Sequence, residues 1–566
     1  MPAETRARPS QHEVAGTAAS SWDAMNFILY SDVNDRSISQ SLGRPEYSYY
    51  FVLKAYRPVL ESLGQVHVVA SPDDVDPLYL QLRQAGEDCL FLSFAPPHKT
   101  PTGLQCPMVC VIAWEYDSIP SEFAAGDERQ DWRPMLARHG RVITLSTHTA
   151  QAIRRSLGAD FPVLVLPTPL WERFAQVRQD YPSVPVNPGS TLQIKGCIID
   201  SRALGLSADG LIAPIHNEQE LEIRGLAEPA DEPPPEPEPP PELTLRRRLL
   251  ISKHYLREGY RALTTPSEHR PLFLLKHNLL QWYREALSDL FTGADRQALA
   301  AAPAPAVDCL PVTVAQAQEQ TEHPQAVLPD TDTQVQVDVS GVVYVSVFNP
   351  EDGRKNWHHL ITAFCWAMRD VEDATLVLKI TQNDLSSYYV HLITLLSQLS
   401  PFACRVVVMH GYLEDEEFAR LYGAASFYVN ASRCEGLCLP LMEFMSCARP
   451  VIAPDHTAMG DYIDERVGFI VKSSREPTIW PEDVRILYRT LRHRPDWGSL
   501  KAAYENSYAM AKQRPEAYQA MAAAASERMR EYCGFAPVQQ RVKTFFHLQA
   551  PGEITPVAIK SGAASC

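Results

Sequence analysis

The sequence predicts an α/β chain in which two doubly wound, parallel-sheet domains face a central cleft, with a proline-rich and basic insertion between them. Three observations predict it. Short β-rich runs alternate with helical stretches from Asn26 to Trp171, and the same alternation resumes at Val342. Several runs, such as Val109–Trp114 and Val342–Phe348, are almost continuously apolar, as strands covered on both faces must be. Between the two blocks the composition changes outright, most visibly at Pro229–Pro241 (PADEPPPEPEPPP). A chain of 566 residues with 45% apolar content has room for roughly two to four domains.

In the first block Phe27–Ser31 (FILYS) reads as a strand. Tyr49–Leu63 has helical apolar spacing, and Val66–Ala70 (VHVVA) is a second strand. Leu90–Phe94, Val109–Trp114 and Val142–Ser146 follow as strands, then a helix from Thr149 and a strand at Val163–Leu166. Ser146 and Thr149 read as that helix's cap. This pattern makes a Rossmann-like domain over 26–172, behind a disordered tail at 1–25. The stretch 173–338 reads as an insertion. It contains the extended Pro/Glu linker 229–241, then a basic helical segment 245–291 in which Arg246, Arg247 and Arg248 precede Leu249, Leu256, Trp282 and Tyr283.

Val342–Phe348 opens a second Rossmann-like domain over 339–475. Its further strands are Thr375–Ile380, Arg405–His410, Phe427–Asn430 and Val451–Ala453. Helices at Trp357–Arg369, Ser386–Leu399, Asp415–Ala424 and Leu439–Ser446 lie between them. Pro481–Phe546 reads as largely helical; 476–548 is assigned to C-terminal helices, with a return to the first domain as one arrangement, and 549–566 to a tail.

Charge and cysteine content narrow the function classes. A formal net charge of −16 argues against nucleic acid as a partner. The 12 cysteines contain no CxxC pair and no dense framework, which reads as reduced thiols and a cytoplasmic location. The first twenty residues carry no apolar stretch of the kind a secretory signal needs, and no run approaches the ~18 residues that span a bilayer.

The densest chemical signal is Ser432–Pro450 (SRCEGLCLPLMEFMSCARP). Glu435 lies in a strand-to-helix loop facing the cleft, and Glu443 about one turn into the following helix, toward the same region. Carboxylates so placed accept hydrogen bonds from ribose or sugar hydroxyls, or stabilise developing positive charge. Backbone N–H groups at Leu437, Cys438 and Leu439 suit a phosphate at a helix start.

The run E-G-x-x-L-P-x-x-E-x-M-x-C-x-x-P-V-I-A resembles the signature of retaining GT-B glycosyltransferases, the large glycosyltransferase family 4 group. Gly353–Phe364 (GRKNWHHLITAF) looks like that group's Arg-Lys-Asn segment, and His410–Leu413 (HGYL) and Leu421–Asn430 (LYGAASFYVN) like its next segments. His456–Ile463 (HTAMGDYI) is similar to the following loop in members that build bacterial surface polysaccharides. The resemblance covers about 342–471 well and 26–171 more loosely. It implies that Lys355, with Arg354, neutralises the donor diphosphate, that Glu443 holds the ribose, and that Glu435 and Gly436 sit by the transferred sugar. Backbone at His410, Gly411 and Tyr412 would flank the base. One departure stands out: the family's second basic residue, about five positions before the lysine, is here Pro350, and Arg354 is its candidate substitute.

The first domain should supply the acceptor side. Ala113–Pro120 (AWEYDSIP) resembles the family's cleft loop, with Trp114 and Glu115 where many members carry histidine. Glu115 therefore joins Glu435 as a catalytic candidate, and His98 with Trp114 are acceptor candidates. No metal-ligand spacing is visible, so no cofactor and no metal are expected. The expected function is metal-independent transfer of a hexosyl unit from a nucleotide diphosphate sugar to a polysaccharide or lipid-linked saccharide acceptor. The alternatives are a GT-B epimerase or phosphorylase, or a catalytically idle scaffold in a polysaccharide-assembly complex. For 245–291 three readings stay open: contact with the inner membrane face, contact with an assembly partner, or a helical hairpin packed on the domains.

Overall fold

A computed structural model describes residues 25–34, 47–122, 128–208, 249, 252–253, 255–256, 279, 282, 329, 331, 333–481 and 483–547. The linker 229–241, nearly all of 245–291, the tail 549–566 and residues 1–24 lie outside them.

The first sheet is wholly parallel. It comprises β1 (Met25–Ser31), β2 (Gln65–Val68), β3 (Asp88–Phe94), β4 (Met108–Ile112), β5 (Val142–Thr144) and β6 (Val163–Val165), in the order β2-β1-β3-β4-β5-β6. Its central strands are buried, as their unbroken apolar runs require. The described helices are α1 (Tyr47–Glu61), α2 (Val75–Gln84), α3 (Trp132–His139) and α4 (Thr147–Leu157). The Ser146 side chain accepts from the Thr149 N–H and starts α4, and Asp131 does the same for α3 through the Arg133 N–H. The loop after β4 leaves the carboxyl end of the sheet, where such folds place ligands.

A connector with a short helix, α5 (Ala175–Asp180), leads to the second sheet. Here the structure departs from the sequence reading. Residues assigned to the insertion form β7 (Asn187–Asp200), and β8 (Gln334–Phe348) begins eight residues before Val342. The first half of β8 pairs antiparallel with β7, Ser190 opposite Val339 and Lys195 opposite Gln334. Its second half pairs in parallel with β9 (Ala374–Ile380), Val342 opposite Ala374. Strand β10 (Arg405–Tyr412) pairs in parallel with β9 and antiparallel with the end of β7. Strands β8, β9, β10 and β7 thus close on one another, so β9 and β7 lack open edges there. Gly196 and Gly411 face each other at the bend of β7, and a Cβ on Gly196 would lie 2.0 Å from the His410 carbonyl oxygen. Strands β11 (Phe427–Val429), β12 (Val451–Ala453) and β13 (Gly468–Ile470) continue the parallel part on the other side of β8.

Helices α6 (Trp357–Ala367), α7 (Ser386–Leu399), α8 (Asp415–Ala424) and α9 (Leu439–Ser446) alternate with these strands. The region 481–546 is not all helical, since β14 (Ser473–Ile479) and β15 (Tyr488–Pro495) form an antiparallel hairpin. Thr490 is buried, and its hydroxyl accepts from the Ser118 N–H of the first domain. Helices α10 (Trp497–Gln513), α11 (Pro515–Cys533) and α12 (Phe535–His547) follow. The last reaches the first sheet, where Phe546 packs on Phe27 at 6.3 Å between ring centroids and Gln539 donates to the Ser62 hydroxyl at 2.8 Å. Two Rossmann-like sheets opening on one cleft are the GT-B arrangement.

Candidate active site

The loop after β11 turns sharply into α9. Cys438 takes a left-handed conformation (φ 66°) at the helix start, and Pro440 in the first turn needs no N–H partner. This geometry buries Glu435 to 3% exposure while leaving it on the cleft wall. One carboxylate oxygen accepts from Lys355 Nζ and Ser432 Oγ, each at 2.6 Å; the other accepts from Arg354 Nη1 at 2.7 Å. Burial pushes this carboxyl up, but the Lys355 ammonium and the Arg354 guanidinium outweigh it and hold the group well below the usual range.

Arg354 and Lys355 lie in the 3-10 turn before α6, which Asp352 starts by accepting from the Arg354 N–H. Asn356 adopts φ 53°, and its amide donates to the Ala431 carbonyl at 3.1 Å, tying this turn to the Glu435 loop. Arg354 sits among three carboxylates: besides Glu435, its Nε lies 3.0 Å from Asp352 and 3.3 Å from Glu115. Glu115 reaches across from the loop after β4, and burial raises its pKa against the pull of Arg354. That loop is held by Tyr49 of α1, whose hydroxyl accepts from the Ala113 N–H at 3.1 Å. The domains pack tightly at Gly436, where a Cβ would lie 3.1 Å from the Ala113 Cβ and the Trp114 nitrogen.

Glu443 of α9 lines the same cleft and accepts from the Tyr422 hydroxyl at 3.0 Å. Burial raises its pKa, and Arg173 opposes that shift. The cleft has a volume of about 770 Å³, within the range of ligand sites. Leu437, Cys438, Leu439 and Tyr412 also line it.

Four sequence candidates lie off this wall. His410 is 2% exposed in β10, and its Nδ1 pairs with the Tyr388 hydroxyl at 2.9 Å. The Gly411 carbonyl accepts from Lys379 Nζ at 2.7 Å. The two acceptor candidates are drawn into aromatic packing of the first domain. The Trp114 ring packs on Trp132 at 4.5 Å and its Nε1 donates to the Ser118 carbonyl, while the His98 ring stacks on Trp132 at 5.9 Å. Sequence reasoning passed over Arg173, Asp352 and Tyr422, which all line the cleft. Tyr422 lies inside a quoted segment without a role, and Arg173 in a connector with no motif. Among the described residues no group of three His, Cys, Asp or Glu is arranged to hold a metal ion. Nor is any helix long and apolar enough to cross a membrane among them.

Residues 340–489 match the family model described as glycosyl transferases group 1. This segment contains Arg354, Lys355, Glu435 and Glu443. No curated protein matches the chain. Among solved structures, the chain is similar to a glycosyltransferase from Rickettsia africae at 8% identity and TM-score 0.43, over 92% of this chain and 98% of that one. It is also similar to HepE of Anabaena in complex with UDP, at 12% identity and TM-score 0.40, over 93% and 100% of the two chains. Sucrose-phosphate synthase from Thermosynechococcus elongatus gives 12% identity and TM-score 0.40, over 93% and 98%.

Proposed function

We propose that this protein is a retaining glycosyltransferase of the family 4 type, moving a hexosyl unit from a nucleotide diphosphate sugar to a saccharide acceptor without a metal. One observation carries the reading: Lys355 and Arg354 converge on Glu435 at the start of α9, with Glu443 further along the same cleft wall and Glu115 opposite. Two cations and a helix start are what a leaving diphosphate requires. The group 1 family match over 340–489 supports the same chemistry.

In this reading Lys355 and Arg354 turn part of their hydrogen bonding from Glu435 to the diphosphate. Glu435 stays ionised beside the transferred sugar, countering positive charge at the anomeric carbon, and the departing phosphate takes the acceptor's proton on the same face. Glu115 accepts a hydrogen bond from a sugar hydroxyl. Contact between the domains at Gly436 excludes water and aligns the acceptor. Saccharide acceptors of the polysaccharide or lipid-linked kind, action in the cytoplasm, and a membrane or assembly contact through 245–291 complete the proposal.

The test is a mass-spectrometric panel of UDP-, GDP-, dTDP- and ADP-sugars with the purified chain, scoring binding and slow hydrolysis. One donor should bind and hydrolyse, and Lys355→Ala and Glu443→Ala should both lose it. No binding at millimolar concentration for any donor overturns the catalytic reading and favours the scaffold; acceptor-independent turnover to an epimer favours the epimerase.

A further inference from the structure

We propose that the saccharide acceptor binds in a side chamber between the β14–β15 hairpin and the loop after β4, and that this chamber selects an uncharged, hydroxyl-rich sugar unit. The proposal rests on the nucleotide-sugar reading above. It places the acceptor against a hairpin of the second domain, although the sequence pointed to the first domain alone. The chamber has a volume of about 370 Å³, at the small end of the range of ligand sites. Tyr116, Asp352, Arg354 and Pro481 line both the chamber and the main cleft, so the two join beside the Arg354–Glu435 pair. Glu443 and Tyr412, at the expected nucleoside end, line the cleft but not the chamber. A sugar seated there reaches the reacting end without displacing the donor.

Contacts between the two domains fix the chamber walls. The Asp117 N–H donates to the Leu491 carbonyl at 3.3 Å, and the Ser118 hydroxyl to the Arg489 carbonyl at 3.3 Å. Trp480 Nε1 donates to the Ser118 carbonyl at 3.1 Å, and Arg485 pairs with Glu122 at 3.1 Å. The Tyr116 ring packs on Trp114 at 5.1 Å between centroids. Both aromatic rings of the chamber, Tyr116 and Trp480, are therefore held in place, and a rigid aromatic surface suits the apolar face of a sugar ring.

The charged side chains of the lining already have counter-ions. Asp352 pairs with Arg354 at 3.0 Å, Arg492 with Glu476 at 2.7 Å and Asp483 with Arg485 at 2.9 Å. The chamber thus offers donors and acceptors with little net charge. That suits hydroxyls, which donate and accept at once, whereas an anionic sugar would meet Asp352 and Asp483. Arg492 commits its Nε to Glu476 and keeps 25% side-chain exposure. Its remaining N–H groups form the planar fork that a pair of neighbouring hydroxyls can use. Val484, 73% exposed, stands at the rim.

The experiment uses the full chain and the donor that the panel above selects. Octyl glucoside, galactoside, mannoside and N-acetylglucosaminide, with octyl glucuronide as the anionic probe, are scored for transfer product by mass spectrometry. At least one neutral glycoside should accept sugar, with a higher kcat/KM than the glucuronide. Arg492→Met, and Val484→Trp at the exposed rim, should each raise KM for that glycoside by about tenfold or more, while the donor KM stays within about twofold. An acceptor KM unchanged in either variant, or donor and acceptor KM rising together, overturns the site. Preference for the glucuronide overturns the neutral assignment. No transfer to any glycoside by a wild type that still hydrolyses donor overturns the acceptor inference as a whole. A wild type that binds no donor overturns the transferase reading itself, and the acceptor site with it.

Discussion

Replacing Glu435 by Gln preserves the side chain's shape and removes the charge that occupies both expected diphosphate-binding cations. In the free protein Lys355 Nζ and Arg354 Nη1 lie 2.6 and 2.7 Å from that carboxylate. Unit charges about 4 Å apart attract by about 4 kcal/mol at an effective dielectric of about 20. After desolvation, a charge-assisted hydrogen bond nets about 1.5–3 kcal/mol. A diphosphate must share these donors with Glu435. Freeing about half of one such bond tightens binding by about 1 kcal/mol, or about fivefold. The free variant should be less stable by about 3 kcal/mol, because Lys355, at 16% side-chain exposure, loses its charged partner. Arg354 keeps Asp352 and Glu115. Acid sensitivity should change too. A carboxyl held down in the folded state stabilises fully above its unfolded value, near about 4.3, and loses that contribution as pH falls toward the folded value. The variant should therefore lose melting temperature less steeply below about pH 4. Calorimetry with nucleoside diphosphates and melting curves across pH read all three effects, and sugar transfer should fall at the same time. Binding no tighter than wild type, with an unchanged acid limb, refutes the competition between Glu435 and the diphosphate.

Lys379 is 1% exposed, and its ammonium donates only to carbonyls in the described structure, Ile380 at 2.6 Å and Gly411 at 2.7 Å. Burial pulls its pKa down to about 7, so the unfolded chain holds more protons above that pH. Stability should then rise from about pH 7 toward pH 10, by up to about 1.4 kcal/mol per unit, and Lys379→Met should flatten that slope in melting curves. Gly436→Val should force the Ala113 loop away, costing about 1–3 kcal/mol and opening the domains; small-angle scattering should show a larger radius and transfer should be lost. Asp461 accepts from the Thr147 backbone at 2.8 Å, joining the second domain to the start of α4. Asp461→Ala should cost about 1 kcal/mol, like the loss of a helix cap, and loosen domain closure by the same scattering measurement.

Much of the parallel core was legible in the sequence because each strand carries its own signature. The apolar run at Val342–Phe348 belongs to β8, and Thr375–Ile380 falls inside β9. The Glu435, Lys355 and Glu443 cluster was legible for a related reason: turns after the neighbouring strands β8 and β11 deliver Lys355 and Glu435 to one wall, and α9 carries Glu443 along it. Strand β7 was not, although Leu192 and Ile194 alternate with more exposed Thr191 and Gln193. Its partners lie more than a hundred residues away. Residues 334–341 (QVQVDVSG) hide in the same way. Trp114 and His98 show the opposite error, where chemistry-bearing side chains at a promising loop are claimed by a buried aromatic cluster around Trp132. Arg173 carries no local signal, since only tertiary docking of the connector brings it to the cleft wall beside Asp415.

The packing of α12 on the first sheet sets an order on synthesis. Phe27 leaves the ribosome early, yet its covering partner Phe546 is made roughly 500 residues later, a delay of about 25–100 s at 5–20 residues per second. For that interval the nascent first domain lacks the helix that covers Phe27 and the neighbouring face of α1, so the growing chain is a natural client for chaperones that shield apolar surface. Ending the chain at residue 534 would make that interval permanent. The first domain would then fold with an uncovered face, and aggregation during translation, rather than lost chemistry, would be the first symptom.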